Sequence, residues 1–361
     1  MDASTIAIYG ANGHTGRLVA AELLARGERV VLAGRDGAAL DALAAELAEP
    51  AEPADPARPG AGTGSADGPA RVRTRAVSLD DRDGLCELAE ESAVVVHCAG
   101  PFADTAVPVA EAAVAGRCHY VDHAVEPHPV KRLFDTMGAA AERAGVVMVP
   151  QLSFYGGIAD LLAAAVTEGM AGVDRLTVGY AVTGWRMTPA AVRTAELLIG
   201  EIDRVTYVDG GQRVGPVEIR NTVFPFPPPV GPRTMIAPFP SGEVVTIPRH
   251  VPARSVESQL TASTFEEEQI FTSQDATPEE RARTEFTVAV QATAPGGGGR
   301  NGHVRGRDIW WVGALASAEA AVRLARGEGP SKAGVLSTAE AFPAVPFLRR
   351  LEELGAFTLH L

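Results

Sequence analysis

Along residues 1–150 short β-branched runs alternate with Ala/Leu-rich stretches whose apolar positions recur at helical spacing, the pattern of a parallel sheet with crossover helices. Strands are predicted at Thr5–Tyr9, Arg29–Ala33, Val72–Val77, Val94–Cys98, His119–Asp122 and Val146–Val149. Between them, His14–Arg26, Ala38–Leu47, Asp83–Glu90, Val107–Ala115 and Pro129–Ala144 are each long enough for one helix. The expected fold class is therefore α/β, with an N-terminal doubly wound Rossmann domain over residues 1–150. Residues 49–69 break the rhythm with repeated Pro and then Gly, Ser and Asp, and read as a flexible surface insertion.

After Gln151 the strand-like runs crowd together: Leu176–Val182, Val205–Val208, Gln212–Val217, Val244–Ile247, Phe286–Ala292 and Ile309–Val312. Helical patterns fall at Ile158–Glu168, Pro189–Leu198 and Ala316–Arg326. This predicts an α+β domain over residues 151–330 with a mainly antiparallel sheet, for substrate binding or dimerisation. Pro225–Pro232 cannot be a central strand, because proline removes ladder donors, so an extended loop is expected there. Gly296–Gly299 suits a hairpin tip with Phe286–Ala292 and Arg305–Val312 as arms, and Trp310 and Trp311 would then point to opposite faces. Residues 331–361, with Phe347–Leu354 as a helix, would pack back on the core.

Composition narrows the function classes. The 361 residues are 46% hydrophobic and 21% charged, enough for a sizeable core, and the net charge of −13 is the wrong sign for a nucleic-acid or anionic-membrane partner. No apolar run reaches the roughly 18–20 residues of a membrane span, and the start carries no basic secretion signal, so a cytoplasmic protein is expected. Cys86, Cys98 and Cys118 have neither even number nor CxxC spacing, and read as buried hydrophobes. A zinc site from His97, His119, His123 and His128 fits no ligand spacing, so no metal is expected.

The strongest motif follows the first strand: Gly10–Ala–Asn12–Gly13–His14–Thr15–Gly16, leading into the helical Arg17–Leu24. Strand, glycine turn and helix are the context of a dinucleotide fingerprint, with backbone N–H groups and the helix N-terminus facing a pyrophosphate. At the end of the second strand Gly34–Arg35–Asp36 stands where an acidic residue would take a ribose 2′-OH; Arg35 instead matches a 2′-phosphate, favouring NADP(H). The alternative is a solvated Arg35 with Asp36 turned to the ribose. Gly100–Pro101–Phe102 ends the fourth strand at the carboxyl edge of the sheet, beside the expected ribose and nicotinamide, with Phe102 either a wall of the site or a core ring.

With Gly10–Gly16, Leu32–Arg35, Val95–Phe102 and Gly116–Asp122, and more weakly Gly306–Ile309, Gly334–Leu336 and Ala341–Phe342, the chain resembles the saccharopine dehydrogenase-like oxidoreductases. It is also similar to the trans-acting enoyl reductases. The resemblance implies an NADP-linked reductase with a Rossmann and an α+β domain, and leaves the substrate open. Two departures stand out: Val125 replaces a glycine usual after Tyr-Val-Asp, and Ser78 stands where such proteins carry an adenine-holding aspartate, with Asp81 read as a helix N-cap.

Hydride chemistry belongs to the nicotinamide, so the protein must bind, orient and protonate. Polar candidates are His97, His119, Tyr120, Asp122, His123, Glu126 and Tyr155. Tyr155, His123 and Asp122 form the catalytic set, with Tyr155 either proton donor or a buried hydrogen-bonded tyrosine. Tyr120 and Asp122 would share one strand face and His119 and His123 the other. Trp185 and Arg186, before a helix capped by Thr188, are candidate substrate contacts, Arg186 for a carboxylate or phosphate. The expected function is NADP(H)-dependent reduction of a C=N, C=C or C=O bond in a small or carrier-linked substrate, with a homodimer as a candidate assembly. Alternatives are a non-catalytic NADP-binding sensor or partner subunit, and a cofactor-retaining epimerase or cyclase.

Overall fold

A computed structural model describes residues 5–48, 71–266 and 275–361. The expected insertion at 49–69 lies outside the described residues. The chain forms two compact units, one drawn from Met1–His123, Leu133–Pro150 and Ala314–Val335, the other from Ala124–Arg132, Gln151–Gly313 and Leu336–Leu361. This division differs from the expected cuts at 150 and 330: residues 124–132 go to the second unit and 314–335 return to the first.

In the N-terminal region β1 (Thr5–Tyr9), α1 (His14–Ala25), β2 (Arg29–Gly34), α2 (Gly37–Ala48), β3 (Val72–Ala76), α3 (Arg82–Glu90), β4 (Val94–His97), α4 (Phe102–Ala115), β5 (His119–Asp122), α5 (Pro127–Ala144) and β6 (Val147–Val149) follow the predicted alternation. Every residue of β1 and β4 is buried, which is why these strands read as near-continuous apolar runs.

The second unit contains α6 (Gly157–Thr167), β7 (Val173–Thr183), α7 (Pro189–Gly200), β8 (Asp203–Val208), β9 (Gly211–Pro216), β10 (Arg220–Pro225), β11 (Pro232–Ala237), α8 (Glu243–Thr246), β12 (Ala253–Thr261), α9 (Pro278–Arg283), β13 (Glu285–Thr293) and β14 (Gly299–Gly306). The chain then runs through α10 (Ile309–Ala325) and β15 (Gly334–Val335), and finishes with α11 (Thr338–Ala341), α12 (Ala344–Glu353) and β16 (Phe357–His360).

The first unit's sheet has the order β15-β6-β5-β4-β1-β2-β3, parallel throughout, so the chain reverses direction of growth between β1 and β4. Ligands of doubly wound sheets bind outside the carboxyl ends of the strands at that reversal. The seventh strand, β15, was not expected; it pairs with β6 and is joined to the unit by α10, whose Glu319 meets Arg26 at 2.7 Å and whose following residue Arg326 pairs with the buried Glu28.

The second sheet runs β10-β11-β12-β7-β13-β14-β16, with the β8–β9 hairpin attached to β12; only β12–β7 is parallel, so the sheet is mainly antiparallel as expected. Helix α6 packs on β13 and β14, and α12 on α6, which assigns the C-terminal helix to this unit.

Three predicted elements change. Val244–Ile247 is not a strand but α8 and the start of a 3-10 turn: Val244, Val245 and Ile247 are all buried, and a short, wholly buried apolar run looks the same wound or extended. Ile309–Val312 is not a strand but the first turn of α10, opened by Asp308, whose Oδ1 accepts from the Trp311 N–H at 3.0 Å. Trp310 and Trp311 therefore sit on a helix rather than on opposite sheet faces. The hairpin arms are β13 and β14, paired from Phe286↔Gly306 to Thr293↔Gly299, so the second arm ends where it was expected to begin. Pro225–Pro232 closes the edge hairpin of β10 and β11. Among the described residues no helix is long and apolar enough to cross a membrane.

Candidate active site

The glycine turn closes β1 tightly. Gly10 takes φ +84°, a left-handed backbone in which a Cβ would lie 2.8 Å from Ala99 N. At Gly16, in the first turn of α1, a Cβ would come within 2.7 Å of the Ala11 Cα, so only glycine lets α1 approach the strand end. Gly13 is the N-cap of α1 and offers no side chain to the first-turn N–H groups, while Asn12 and Gly13 are exposed and His14 and Thr15 half-buried. Those donors are left facing outward, an arrangement that suits a pyrophosphate.

At the end of β2, Asp36 Oδ1 accepts from the Ala39 N–H at 3.0 Å and so caps α2. One oxygen of its carboxylate is thereby committed to the helix end. Arg35 is exposed, close enough to Tyr9 for its charge to oppose the upward push that burial gives the Tyr9 phenol. Ser78 follows β3, and Asp81 caps α3 through the Gly84 N–H at 2.9 Å, as predicted. Because the strands are parallel, Gly10–Gly16, Arg35, Ser78 and Gly100–Phe102 all fall at the carboxyl edge.

Behind that edge lies a buried network. Gly100–Pro101 is a cis peptide, and Thr105 Oγ1 donates to Ala99 O at 2.6 Å. Phe102 is 6% exposed with its ring 5.0 Å from His97, so it is a core ring rather than an open wall. His97 and Asp122 are register partners on β4 and β5. The Tyr120 hydroxyl donates to Asp122 Oδ2 at 2.9 Å and lies 3.0 Å from His97 Nδ1, confirming that Tyr120 and Asp122 share a strand face. The Tyr120 hydroxyl thus links the Asp122 carboxyl to the His97 ring in one buried chain of hydrogen bonds. Burial pushes His97 down to about 3 against the opposing effect of a hydrogen bond to the Ala99 backbone, so the ring is neutral.

His123 turns elsewhere: Nε2 meets Ser317 Oγ at 2.9 Å, and burial lowers the imidazole to about 4. His119 Nδ1 accepts from the Val147 N–H at 3.0 Å. Asp122, His123 and His119 thus serve three different partners, and among the described residues no group of three His, Cys, Asp or Glu is placed to hold a metal ion.

In the second unit Tyr155 packs among Phe154, Tyr180 and Phe239, with ring centroids 5.0, 5.0 and 5.6 Å away. Its hydroxyl is buried without a hydrogen-bond partner; burial, and then the nearby Glu243, push the phenol well above its ordinary range. Sequence reasoning passed over Glu243, which is fully buried and whose Oε1 accepts from both the Tyr180 hydroxyl and the Gly156 N–H. The misreading of Val244–Ile247 as a strand hid it. Burial raises the Glu243 carboxyl, so its contribution to stability is complete below the ordinary glutamate range and is lost as pH rises toward the folded value. Denaturant midpoints of wild type and Glu243→Gln compared between about pH 5 and 8 should show the wild type losing ground as pH rises; a constant difference would contradict a buried, titrating acid.

Arg186 does not wait for a substrate anion. Its guanidinium bonds Glu280 Oε1 at 2.7 Å, while Glu280 Oε2 completes the capping box of α9 with Thr277. Trp185 is 6% exposed and packs 6.1 Å from Trp310, a core position rather than a substrate contact.

Residues 6–149 match the family model of the saccharopine dehydrogenase NADP binding domain. Over that stretch the chain is similar to a saccharopine dehydrogenase-type NADP binding domain. No curated protein matches the chain. Among solved structures, apo saccharopine dehydrogenase (L-Glu forming) from Saccharomyces cerevisiae aligns over 99% of this chain and 100% of its own, with TM-score 0.59 and 11% identity, a likeness of fold. A mutant meso-dapdh with DAP from Clostridium tetani E88 covers 97% of this chain and 99% of its own (TM-score 0.45, 11% identity). GenD2 from gentamicin A biosynthesis, in complex with NAD, covers 96% and 92% (TM-score 0.44, 16% identity). Within residues 6–149 the glycine turn, Arg35 and Ser78 are the candidate residues for holding a pyridine nucleotide.

Proposed function

We propose that the protein is a cytoplasmic NADP(H)-dependent oxidoreductase that moves hydride between the cofactor and a C=N, C=C or C=O bond of a small or carrier-linked substrate. The capping of α2 by Asp36 supports the cofactor choice: it ties one oxygen of the acidic residue to the helix end, while the adjacent exposed Arg35 has the chemistry to meet a 2′-phosphate. The cofactor, when bound, supplies the hydride. The protein's share is to hold the pyrophosphate on the α1 N-terminus and to keep a neutral His97 behind the sheet edge. Tyr155 is the proposed proton donor, its phenol kept protonated by burial and Glu243.

Arg35→Ala should weaken NADPH binding by about 1.5–3 kcal/mol, the worth of charged hydrogen bonds, and leave NADH binding unchanged. Titration calorimetry with both nucleotides reads this directly. Equal losses for NADPH and NADH would remove the phosphate assignment. Tight NADPH binding with no oxidation by imines, enoyl thioesters or carbonyls would replace the oxidoreductase by a sensor.

A further inference from the structure

The second unit carries an open cleft of about 300 Å³, lined by both polar and apolar side chains, that no part of the cofactor reading uses. Its floor is one face of the sheet: Arg305, Thr287 and Ala181 are cross-strand neighbours on β14, β13 and β7, and Glu285 pairs with Thr183 in the next row but one. Its lip is the proline-rich turn between β10 and β11, through Pro229 and Val230, together with Arg233 at the start of β11.

The turn is held in place from below. Phe224 and Phe226 lie 4.6 Å apart and pack with Met235, Ala181 and Ala289, and Val230 rests on this cluster. Gly179 makes that possible, since a Cβ there would lie 2.9 Å from the Phe224 ring. The two arginines therefore face the cavity from separately braced strands, an arrangement that holds a ligand without first ordering a loop.

The charges do not balance. Arg233 Nη1 donates to the adjacent Pro232 carbonyl at 3.0 Å, and among the described residues no carboxylate pairs with it. Arg305 has Glu285 at 3.7 Å, and that one carboxylate is shared with Arg307 at 3.5 Å. Two guanidiniums thus share one carboxylate, and Arg233 adds a third positive charge to the lining with no carboxylate of its own, in a chain whose net charge is −13. Hydroxyls of Thr183, Ser263 and Thr287 on the wall add neutral donors.

We propose that this cavity is a binding site for an oxyanion head group carried on a short apolar body, with Arg233 and Arg305 gripping the anion and Val230, Pro229 and Ala181 covering the body. Guanidinium forks suit both carboxylate and phosphate oxygens. Glu285 competes with the ligand for Arg305 and sets the affinity low until displaced.

The test uses the full chain without nucleotide, so it stands or falls apart from the cofactor assignment. Hexanoate is the probe, read by ligand-observed NMR and calorimetry, with hexanol as the uncharged control and inorganic phosphate as competitor. Hexanoate should bind, hexanol should not, and binding should weaken at least about tenfold, or 1.4 kcal/mol, in Arg233→Ala and in Arg305→Ala while surviving in Arg35→Ala. Glu285→Gln should tighten binding, a gain that a misfolded variant would not produce. Displacement by phosphate assigns the head group to phosphate esters, and failure of displacement assigns it to carboxylates. Absence of hexanoate and phosphate binding, or binding unchanged in the Arg233→Ala/Arg305→Ala double variant, would overturn the proposal.

Discussion

His250→Ala is expected to destabilise the second unit by about 3–5 kcal/mol near pH 5.5, the cost of leaving a buried charge without its partner. Asp160, on α6, is 1% exposed, and His250 Nε2 lies 2.8 Å from its Oδ1 while the Ala339 N–H donates to Oδ2 at 2.7 Å. Burial by itself would raise the Asp160 carboxyl, but His250 and the Ala339 N–H hold it below the usual range. Burial would likewise lower His250, and Asp160 raises it instead. The contribution of a lowered acid is present above its unfolded value and lost as pH falls through the folded one. For a raised histidine it is full below the unfolded value and lost as pH rises through the folded one. The pair is therefore at full strength between about pH 4 and 6.5. Urea unfolding of wild type and variant should show the gap greatest in that window and narrowing toward alkaline pH. A gap that stays constant into the alkaline range would mean that lost packing, not the ion pair, is being measured.

Gly16→Val is the second large effect. A Cβ at Gly16 meets the Ala11 Cα at 2.7 Å, and backbone cannot swing aside as a side-chain tip can. The gain in helix propensity from removing a glycine is below about 1 kcal/mol, whereas overpacking against backbone costs about 3 kcal/mol, so the collision decides the sign. The α1 N-terminus is displaced from the strand end, and its N–H groups no longer meet a pyrophosphate at hydrogen-bond distance. NADPH binding should disappear from calorimetry together with a fall in the denaturant midpoint. Wild-type affinity in this variant would show that the turn does not hold the cofactor.

Local signals carried the first unit and failed in the second for identifiable reasons. β1 and β4 are buried throughout, so their side chains announce a strand without reference to anything distant, and the glycine turn is contiguous. β12 went unseen because its interior positions include Ser258, Gln259 and Thr261, polar residues buried by neighbours from elsewhere in the chain. Asp36 could have been read as a cap from Asp36–Gly–Ala–Ala39 alone. Arg186 could not have been excluded as an anion ligand, since its partner Glu280 is fixed by the capping box of a helix far along the sequence. Tyr155 gains its surroundings from Tyr180, Phe239 and Glu243, and the last of these directly precedes a misread segment.

The late return of α10 and β15 to the first sheet bears on how the molecule is made. During synthesis the nucleotide-binding half emerges first, yet its outermost strand and the partners of Arg26 and Glu28 leave the ribosome only after residues 1–313. Until then β6 is an open edge and Glu28 lacks its arginine, and an open edge invites pairing with other chains. A fragment cut at residue 150 would freeze that immature state permanently, so an isolated cofactor domain has to be built with residues 314–335 spliced back on.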